Sequence, residues 1–451
     1  MRSKLANLWE NVQSSLWFVP TVALGLAVLA SSLMIRVDVA LMQRHSMLVP
    51  WLFSGTADAA RTMLSVVAGS LITAISIVFS LTIVALVQAS SQFTPRVLRQ
   101  FTASRTNQVV LGTYIATFVY ALLVLRTVRS TDGGDPFVPA LSVTSAVILA
   151  VLCLGLLIFF IHHMSQSLQV AVIMDDVRQE VVAQIDDLYP QEIGDGIAEA
   201  PLPVAAREKL KHDGELIVVR SKQTGFVRKI DEQTLLEIPL AATQWLWIRP
   251  SIGEFVTYGN ILAELDHIDD ATDDVIQHIR NAFVIERERT ITQDLLFGIR
   301  QLVDIALKAL SPGINDVTTA EYALYHLGDI IARLAERSFP SNVRTNHNGQ
   351  TQINVSRPTW DDVIDAAFSQ IRHAAASDVH ATQTLLHVLH DLALRLTAGP
   401  RKEAVHRQVA EIRYNVTQNS YSPSDKALLN RSIDQVEEAL RAHDEPFRLF
   451  S

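Results

Sequence analysis

Four long apolar runs dominate the first third of the chain. None of them has Asp, Glu, Lys or Arg in its interior, and each can cross roughly 30 Å of hydrocarbon at about 1.5 Å per residue. They predict a transmembrane domain over residues 1–163 with spans at about 16–35, 62–87, 109–125 and 137–161.

The second run carries small and hydroxyl-bearing residues at intervals of three or four, which places them on one face of a helix. These residues are Thr62, Ser65, Gly69, Thr73, Ser76 and Ser80. Two interpretations stay open. The stripe is either a surface for close helix packing, because small residues let backbones approach, or the wall of a wetted path lined by hydroxyls.

Beyond the fourth run, apolar residues continue at a spacing of three and four with polar residues between them. This pattern predicts a helical stalk at 164–190 that continues the fourth span. Its apolar stripe requires cover, either from the following domain or from other copies of the chain, and the second option predicts a homo-oligomer. A stretch rich in Gly, Pro and acids at 191–203 predicts a linker.

After the linker the pattern changes to that of short strands. Runs rich in Val, Ile and aromatic residues predict a small β domain at 204–265, with strands at 215–220, 225–230, 235–238, 245–249 and 261–265. The string GEFVTYGNILAEL and the similar pair VRSKQTGFV and IRPSIGEFV resemble the barrel-sandwich hybrid of biotinyl and lipoyl domains. The Met-Lys-Met tripeptide of those carriers is missing, so the resemblance implies a structural or ligand-binding barrel.

The remainder, 271–451, predicts a helical domain with a β-hairpin near 343–355, where Asn348 and Gly349 suit a tight turn. The predicted fold class is therefore a mainly α membrane protein. A four-helix transmembrane region is followed by an α+β part, which combines a barrel-sandwich-like β domain with a helical bundle.

Composition and charge narrow the chemistry. The chain is 49% hydrophobic and carries a net charge of -9, and nearly all its acidic residues follow residue 161. An acidic domain argues against a nucleic-acid partner. The single cysteine, Cys153, excludes an internal disulfide and a cysteine-built zinc site. No phosphate loop, HExxH or nucleophile elbow occurs, so we predict no catalytic residue, metal site or cofactor and leave enzymatic activity open.

Charged residues between 287 and 316 suggest a cytoplasmic binding site. Asn315 and Asp316 stand at the start of a predicted helix, whose amides suit an anion or a carbonyl group. The residues expected to gather in one cleft are Arg287, Arg289, Asp294, Asp304, Asn315 and Asp316. The simpler interpretation is a well-capped helical hairpin, with Thr318 and Glu321 as a capping box.

Three features carry a resemblance to a known family. They are the string RTITQD at 289–294, the string ALSPGIND at 309–316 and the order of membrane region before barrel. Through them the chain resembles an uncharacterised family of bacterial predicted inner-membrane proteins, classed as a domain of unknown function. The resemblance implies a bacterial inner (cytoplasmic) membrane location and supplies no activity.

Orientation and function follow as hypotheses. Positive charges are balanced between the two sides, but the 88–108 loop holds three arginines without an acid and no export signal precedes the tail, so we expect a cytoplasmic C-terminal domain. One hypothesis is an oligomeric channel or transporter with a cytoplasmic gating or sensing domain. The alternative is a membrane-anchored ligand-binding or scaffold module without transport. The expected partners are the lipid bilayer, further copies of the chain and an unidentified small ligand or ion.

Overall fold

The computed structural model divides the chain into two compact units, Met1–Val172 and Ile173–Ser451. The residues that it describes are 15, 17–43, 53, 55–92, 105–130, 137–189, 216–238, 245–265, 273–345, 352–396 and 399–442. The predicted linker at 191–203, residues 93–104 of the predicted loop and the hairpin turn at 346–350 lie outside the described residues.

The first unit contains four helices that are long and apolar enough to cross a membrane, which confirms the prediction of a multi-pass membrane protein. They are α1 (Phe18–Gln43), α2 (Ala57–Gln92), α3 (Arg105–Thr127) and α4 (Ala140–Ser167). Each observed helix extends past its predicted span at one end or both, because the backbone hydrogen-bond ladder continues through polar residues beyond the apolar run. In α1 the extension includes Arg36 and Asp38.

The third span is the centre of this unit. In its most apolar stretch 44% of the residues are buried, against 17% in each of the other three spans. Gly112 permits the close approach of α1, since a Cβ there would lie 3.3 Å from both Pro20 Cα and Ala23 Cβ. On another side of α3, the Tyr114 hydroxyl donates to the Cys153 carbonyl of α4 at 2.5 Å. The helices are thus joined by close packing and by hydrogen bonds.

The predicted stalk is not a continuous extension of the fourth span. Helix α4 ends at Ser167, and a separate helix, α5 (Val170–Leu188), follows after a turn. Its apolar stripe is buried within the second unit: Ile173, Met174, Val177, Val181 and Ile185. The following domain therefore supplies the cover, and the stripe does not require a second copy of the chain.

The second unit holds two sheets, a five-stranded one in the order β1-β5-β3-β8-β7 and a three-stranded one in the order β4-β2-β6. The strands are β1 (Ile217–Arg220), β2 (Gly225–Ile230), β3 (Trp245–Ile248), β4 (Phe255–Val256), β5 (Ile261–Leu265), β6 (Phe283–Glu286), β7 (Val343–Thr345) and β8 (Gln352–Val355). The strand predicted at 235–238 is wrong, because Asp231 caps a short helix there, α6 (Glu232–Leu236), by accepting from the Thr234 amide.

Strand pairing crosses the predicted domain boundary. Strand β8 pairs in parallel with β3, with Trp245 opposite Gln352, and β6 pairs antiparallel with β2. The hairpin predicted near 343–355 therefore completes the sheet of the β region, and its buried Ile353 and Val355 join the same apolar core as Leu246.

Eight further helices complete the second unit in the described residues. They are α7 (Asp273–Asn281), α8 (Leu295–Ala309), α9 (Val317–Ala335), α10 (Trp360–Ile364), α11 (Gln370–Ala374), α12 (Val379–Arg395), α13 (Pro400–Gln418) and α14 (Pro423–Arg441). A π-helical turn, Asp365–Ser369, separates α10 from α11. The Gln408 side-chain amide donates to Asp365 at 2.7 Å and to Ser369 at 3.0 Å. Hydrogen bonds from α13 therefore stabilise the π-helical turn.

Candidate functional site

The polar stripe of the second span lies on the outside of the protomer. All six of its residues are exposed, whereas Ala60, Leu64, Ala68, Leu71 and Val78 of the same helix are buried. At about 100° per residue, the centre of the stripe lies roughly 155° around α2 from the centre of the buried face. The stripe therefore has no packing role among the residues that the structure describes.

Hydroxyl groups on this face bond to their own helix. Thr73 Oγ1 donates to the Gly69 carbonyl at 3.1 Å, and Ser76 Oγ donates to the Ile72 carbonyl at 2.9 Å. Such bonds satisfy the hydroxyl donor in a medium without water, while the oxygen retains acceptor capacity toward a neighbour. The face, defined by Thr62, Ser65, Gly69, Thr73, Ser76 and Ser80 and called the α2 polar face below, is thus compatible with lipid, with another helix or with water.

One buried acid in the membrane unit escaped sequence analysis. Asp38 of α1 accepts from the Leu141 amide at 2.8 Å, from the Ser142 amide at 2.9 Å and from the Ser142 hydroxyl at 2.5 Å. It caps the N-terminus of α4 from a different helix, because Pro139 at the N-cap position supplies no side-chain acceptor. Asp38 lies just past the end of the first predicted span. A carboxylate so close to an apolar run is the sequence signal that could have identified this residue.

In the second unit, two of the six predicted site residues form an ion pair. Arg289 donates to both carboxylate oxygens of Asp294, at 2.7 and 2.9 Å, and Asp294 also accepts from the Phe297 amide at 3.0 Å as the N-cap of α8. Burial raises the pKa of the Asp294 carboxyl, while the Arg289 guanidinium and the Phe297 amide oppose that rise. Gly253, with φ +83°, makes room for the pair, since a Cβ there would lie 2.3 Å from Asp294 Oδ2.

Two more polar residues of the RTITQD string have hydrogen-bond partners in the same unit. Thr290 accepts from Arg228 at 3.1 Å, and the Gln293 side chain accepts from the Ile230 amide at 3.2 Å. Arg228 in turn pairs with Glu286 at 2.9 Å. The string therefore fastens the start of α8 to strand β2, and we call Arg289, Thr290, Gln293 and Asp294 the β2–α8 junction.

The remaining predicted site residues lie elsewhere. Asp304 pairs with Arg300 one turn before it on α8, at 2.7 Å. Asp316 caps α9 by accepting from the Thr319 amide at 3.1 Å, and its own amide donates to the Ala309 carbonyl at the end of α8. Because α8 has 15 residues, Asp294 and Asp316 are separated by about 22 Å of helix.

The structure therefore does not bring the six residues into one cleft. Arg287 is exposed in the bend before the β2–α8 junction. Asn315 is exposed at φ +52°, the left-handed conformation that Asn tolerates in a turn. The N-cap of α9 is Asp316 and not the predicted Thr318, because the helix begins at Val317.

A groove lies among three helices of the second unit. Its volume is about 710 Å³, and its wall includes side chains of α9, α12 and α14: Tyr325, Thr384, His387, Asp391, Gln435 and Glu438. A second groove of about 400 Å³ shares Tyr325 and Asp391 with it. His387 and His390 approach Asp391 at 3.8 and 3.7 Å, and the described residues contain no group of three or more His, Cys, Asp or Glu placed to hold a metal ion.

Comparison with known proteins identifies the family. Residues 13–391 match the family described as predicted membrane protein (DUF2254), which is most of the chain, and the chain belongs to this family.

Three mycobacterial proteins are similar to the chain over most of its length. The chain is 31% identical over 440 residues to an uncharacterized protein of Mycobacterium bovis, an alignment that covers 95% of this chain and 81% of the relative. Two uncharacterized proteins from strains of Mycobacterium tuberculosis match with the same identity and coverage. No solved structure matches the chain.

Proposed function

We propose that this member of a family of predicted membrane proteins assembles through its α2 polar face into a homo-oligomer that conducts an ion or a small polar solute. In this proposal, α2 helices from several copies surround the path and the second unit acts as the gate or sensor. The single observation that carries the proposal is the exposure of the whole face in the protomer.

The spacing of the face supports helix association. Ser65, Gly69 and Thr73 follow one another at intervals of four, and Ser76 and Ser80 repeat that interval. Small residues at this spacing let membrane helices approach closely, so that van der Waals contact and hydroxyl hydrogen bonds hold them together. If the face contacted only lipid, it would make neither the close helix–helix contact nor the hydrogen bonds between helices.

The chemistry of the face supports a polar path. Hydroxyl groups provide hydrogen-bonding partners for a hydrated solute, and the helix has no charged residue between Arg61 and Gln92 that would trap an ion. A wall of this kind suits weakly selective passage and offers no proton relay, since it holds no titratable group at membrane depth.

Cysteine cross-linking in native membranes tests the assembly. In a Cys153→Ser background, Thr73→Cys is expected to form disulfide-linked dimers under mild oxidation. The matched control is Leu154→Cys in the middle of α4, which is 61% exposed and expected to remain monomeric. Equal cross-linking at the two positions, or none at residue 73, would contradict assembly through the α2 polar face.

Flux measurements in proteoliposomes test conduction. Thr73→Leu is expected to abolish salt efflux without lowering the unfolding temperature, because Thr73 is exposed in the protomer. The control Val151→Leu enlarges a side chain on α4 that is 64% exposed, and it should leave efflux unchanged. Cross-linking at residue 73 without efflux from the native chain would support assembly and refute transport.

We also propose that the protein lies in the bacterial inner membrane with its second unit in the cytoplasm. The arginines of the loop between α2 and α3 support this orientation. Tyr414 on α13 is 61% exposed, so a Tyr414→Cys variant should resist a membrane-impermeant maleimide in intact cells and react after permeabilisation. Labelling in intact cells would contradict this orientation and indicate that the second unit lies outside the cytoplasm.

A second candidate function is that of a membrane-anchored ligand-binding module, and the bundle groove favours it. A volume of about 710 Å³ lies in the range of small-molecule sites, and the carboxylates of Asp391 and Glu438 favour a cationic ligand. Putrescine is expected to raise the unfolding temperature of the native chain but not of Asp391→Asn, and inorganic phosphate should have no effect. If putrescine acts equally on both proteins, the groove is not its site.

A further inference from the structure

Two loops meet at one end of the β region. The Ser221 amide donates to the Asn260 carbonyl at 2.8 Å, and the Gly259 amide returns a bond to the Ser221 carbonyl at 2.9 Å. The Tyr258 amide also donates to the Thr224 hydroxyl at 3.1 Å. These bonds brace the β1–β2 loop against the β4–β5 turn, so the side chains on both are presented by a fixed backbone.

Exposed aromatic rings cover this end. Tyr258 is 75% exposed and Phe255 is 50% exposed, and the Phe255 ring packs edge to face on Phe226 with centroids 5.0 Å apart. Tyr258 lies on the braced turn and Phe255 on the strand before it. Exposed apolar surface of this kind can mark an interaction site.

Basic side chains lie on or contact the same two loops. Arg220 Nη1 donates to the Gly259 carbonyl at 2.9 Å, and Arg280 Nε donates to the Arg220 carbonyl at 3.1 Å, while Lys222 is exposed in the loop between them. These acceptors are neutral carbonyl groups, so the hydrogen bonds position the cations without cancelling their charge. We call Arg220, Lys222, Phe255, Tyr258 and Arg280 the basic aromatic tip.

Acidic residues near the tip do not balance it. The Glu254 carboxylate accepts from the Ser251 amide at 3.0 Å, and Glu286 pairs with Arg228 on the neighbouring strand. Among the described residues, the three cations of the tip thus outnumber the Glu254 carboxylate, and the charges of Arg287 and Glu288 in the bend after β6 offset each other. The surface is complementary to one that combines negative charge with an apolar layer beneath it.

We propose that the basic aromatic tip binds the anionic surface of a lipid bilayer. The cations contact phosphate groups, and the rings lie at the headgroup level, where Tyr and other aromatic side chains are favoured. The four spans keep the chain at the bilayer, so a weak contact suffices because its effective concentration is high. The tip is then a reversible membrane contact of the second unit, independent of any path along α2.

A fluorescent probe beside the tip tests the proposal in the full chain. Gln223→Cys in a Cys153→Ser background places a polarity-sensitive dye in the exposed loop and leaves the five tip residues intact. In nanodiscs containing phosphatidylglycerol we expect blue-shifted emission and quenching by headgroup-labelled lipid, and in pure phosphatidylcholine we expect neither. The matched control is a dye at Tyr414→Cys, where neighbouring Arg413 is paired with Asp434 at 2.9 Å, and it should report water in both lipids.

Charge and ring variants separate the contributions. Lys222→Gln should lower the docked-to-undocked ratio roughly fivefold and Arg220→Gln with Lys222→Gln about 25-fold, since each cation contributes about equally at an anionic surface. Tyr258→Ala should lower it as well, and about 0.5 M salt should weaken docking in every variant that retains a cation.

Two outcomes overturn the proposal. Emission that is the same in both lipids, or unchanged by the charge variants, means that the tip does not bind anionic lipid. Dye protection that appears in both lipids only when chains are cross-linked means that the tip contacts protein. Lys222 is exposed, so the unfolding temperature of Lys222→Gln should match that of the native chain and exclude misfolding as the cause.

Discussion

The β2–α8 junction and the α2 polar face are both polar, but they differ in what surrounds them. At the junction the Asp294 side chain is 4% exposed and each polar group has a partner within the same unit. On the α2 polar face all six residues are exposed, and the contacts available inside the protomer are bonds to the same helix.

The difference shows how far a distinctive sequence string and a stripe of common residues each indicate a functional site. Within the string RTITQD, the residues Arg289, Thr290, Gln293 and Asp294 each have a specific structural partner, and these contacts explain their residue types without any ligand. The α2 stripe is composed of common small residues, yet the described part of the protomer leaves all six of them exposed. Function is better sought where the protomer leaves a pattern unexplained.

The largest expected effect concerns the junction. Asp294→Ala removes the N-cap of α8 and leaves Arg289 without its carboxylate, so we expect a loss of about 3–4 kcal/mol in the free energy of unfolding. Denaturant unfolding in detergent measures it. Asp294→Asn retains an N-cap acceptor and should lose less. A loss below about 1 kcal/mol for Asp294→Ala would show that the junction is not primarily structural.

A smaller loss is expected in the membrane unit. Asp38→Ala leaves the Leu141 and Ser142 amides without their acceptor at the start of α4, which should cost about 2 kcal/mol. The control is Ser32→Ala on the same helix, whose hydroxyl bonds to its own Val28 carbonyl and whose loss should lie within about 0.5 kcal/mol. Equal melting temperatures for the two variants in detergent would contradict the capping role.

At the exposed end of α8, Asp316→Ala should cost about 1 kcal/mol, because it removes one helix cap and no buried ion pair. Asp316→Asn can still cap the helix, so its loss in the free energy of unfolding should be only a few tenths of that of Asp316→Ala. Thermal melts of the two variants sharpen the comparison: a loss as large as that of Asp294→Ala would mean that exposure is a poor guide to structural importance.

The smallest effect is a pH dependence at the contact of α5 with α9. Burial lowers the pKa of His326, while Asp175 and Asp329 oppose that shift and Arg178 adds to it. The folded state therefore binds protons less readily than the unfolded state, so stability is full above the unfolded pKa near 6.5 and falls as the pH drops below it. Native protein should lose more stability than His326→Gln in thermal melts between about pH 7.5 and 5.5. Parallel curves would exclude His326 as the cause.

Local patterns predicted the spans well and the sheets only in part. An uncharged apolar run is a property of adjacent residues, so the four helices follow directly from it. The pairing of β3 with β8 joins segments about 100 residues apart, and neither carries a local signal of its partner. At 235–238 the apolar residues predicted a strand. Asp231 instead caps a short helix that includes the first two of these residues.

The candidate site shows the same limit. Sequence analysis grouped six residues in one cleft, and the structure joins two of them, Arg289 and Asp294, in an ion pair. It also placed Asp316 in that cleft, but the length of α8 separates Asp316 from this ion pair. Asp38 could be paired with Ser142 only through the three-dimensional packing of α1 against α4.

The parallel pairing of β3 with β8 has a consequence for biosynthesis. Until about 100 further residues have left the ribosome, strand β3 has one edge of amides and carbonyls without its partner, and such an edge is a template for association with other chains. A chain that stops before residue 352 would keep that edge permanently. Premature termination in this region should therefore yield aggregates or degradation products, and not a smaller soluble β domain.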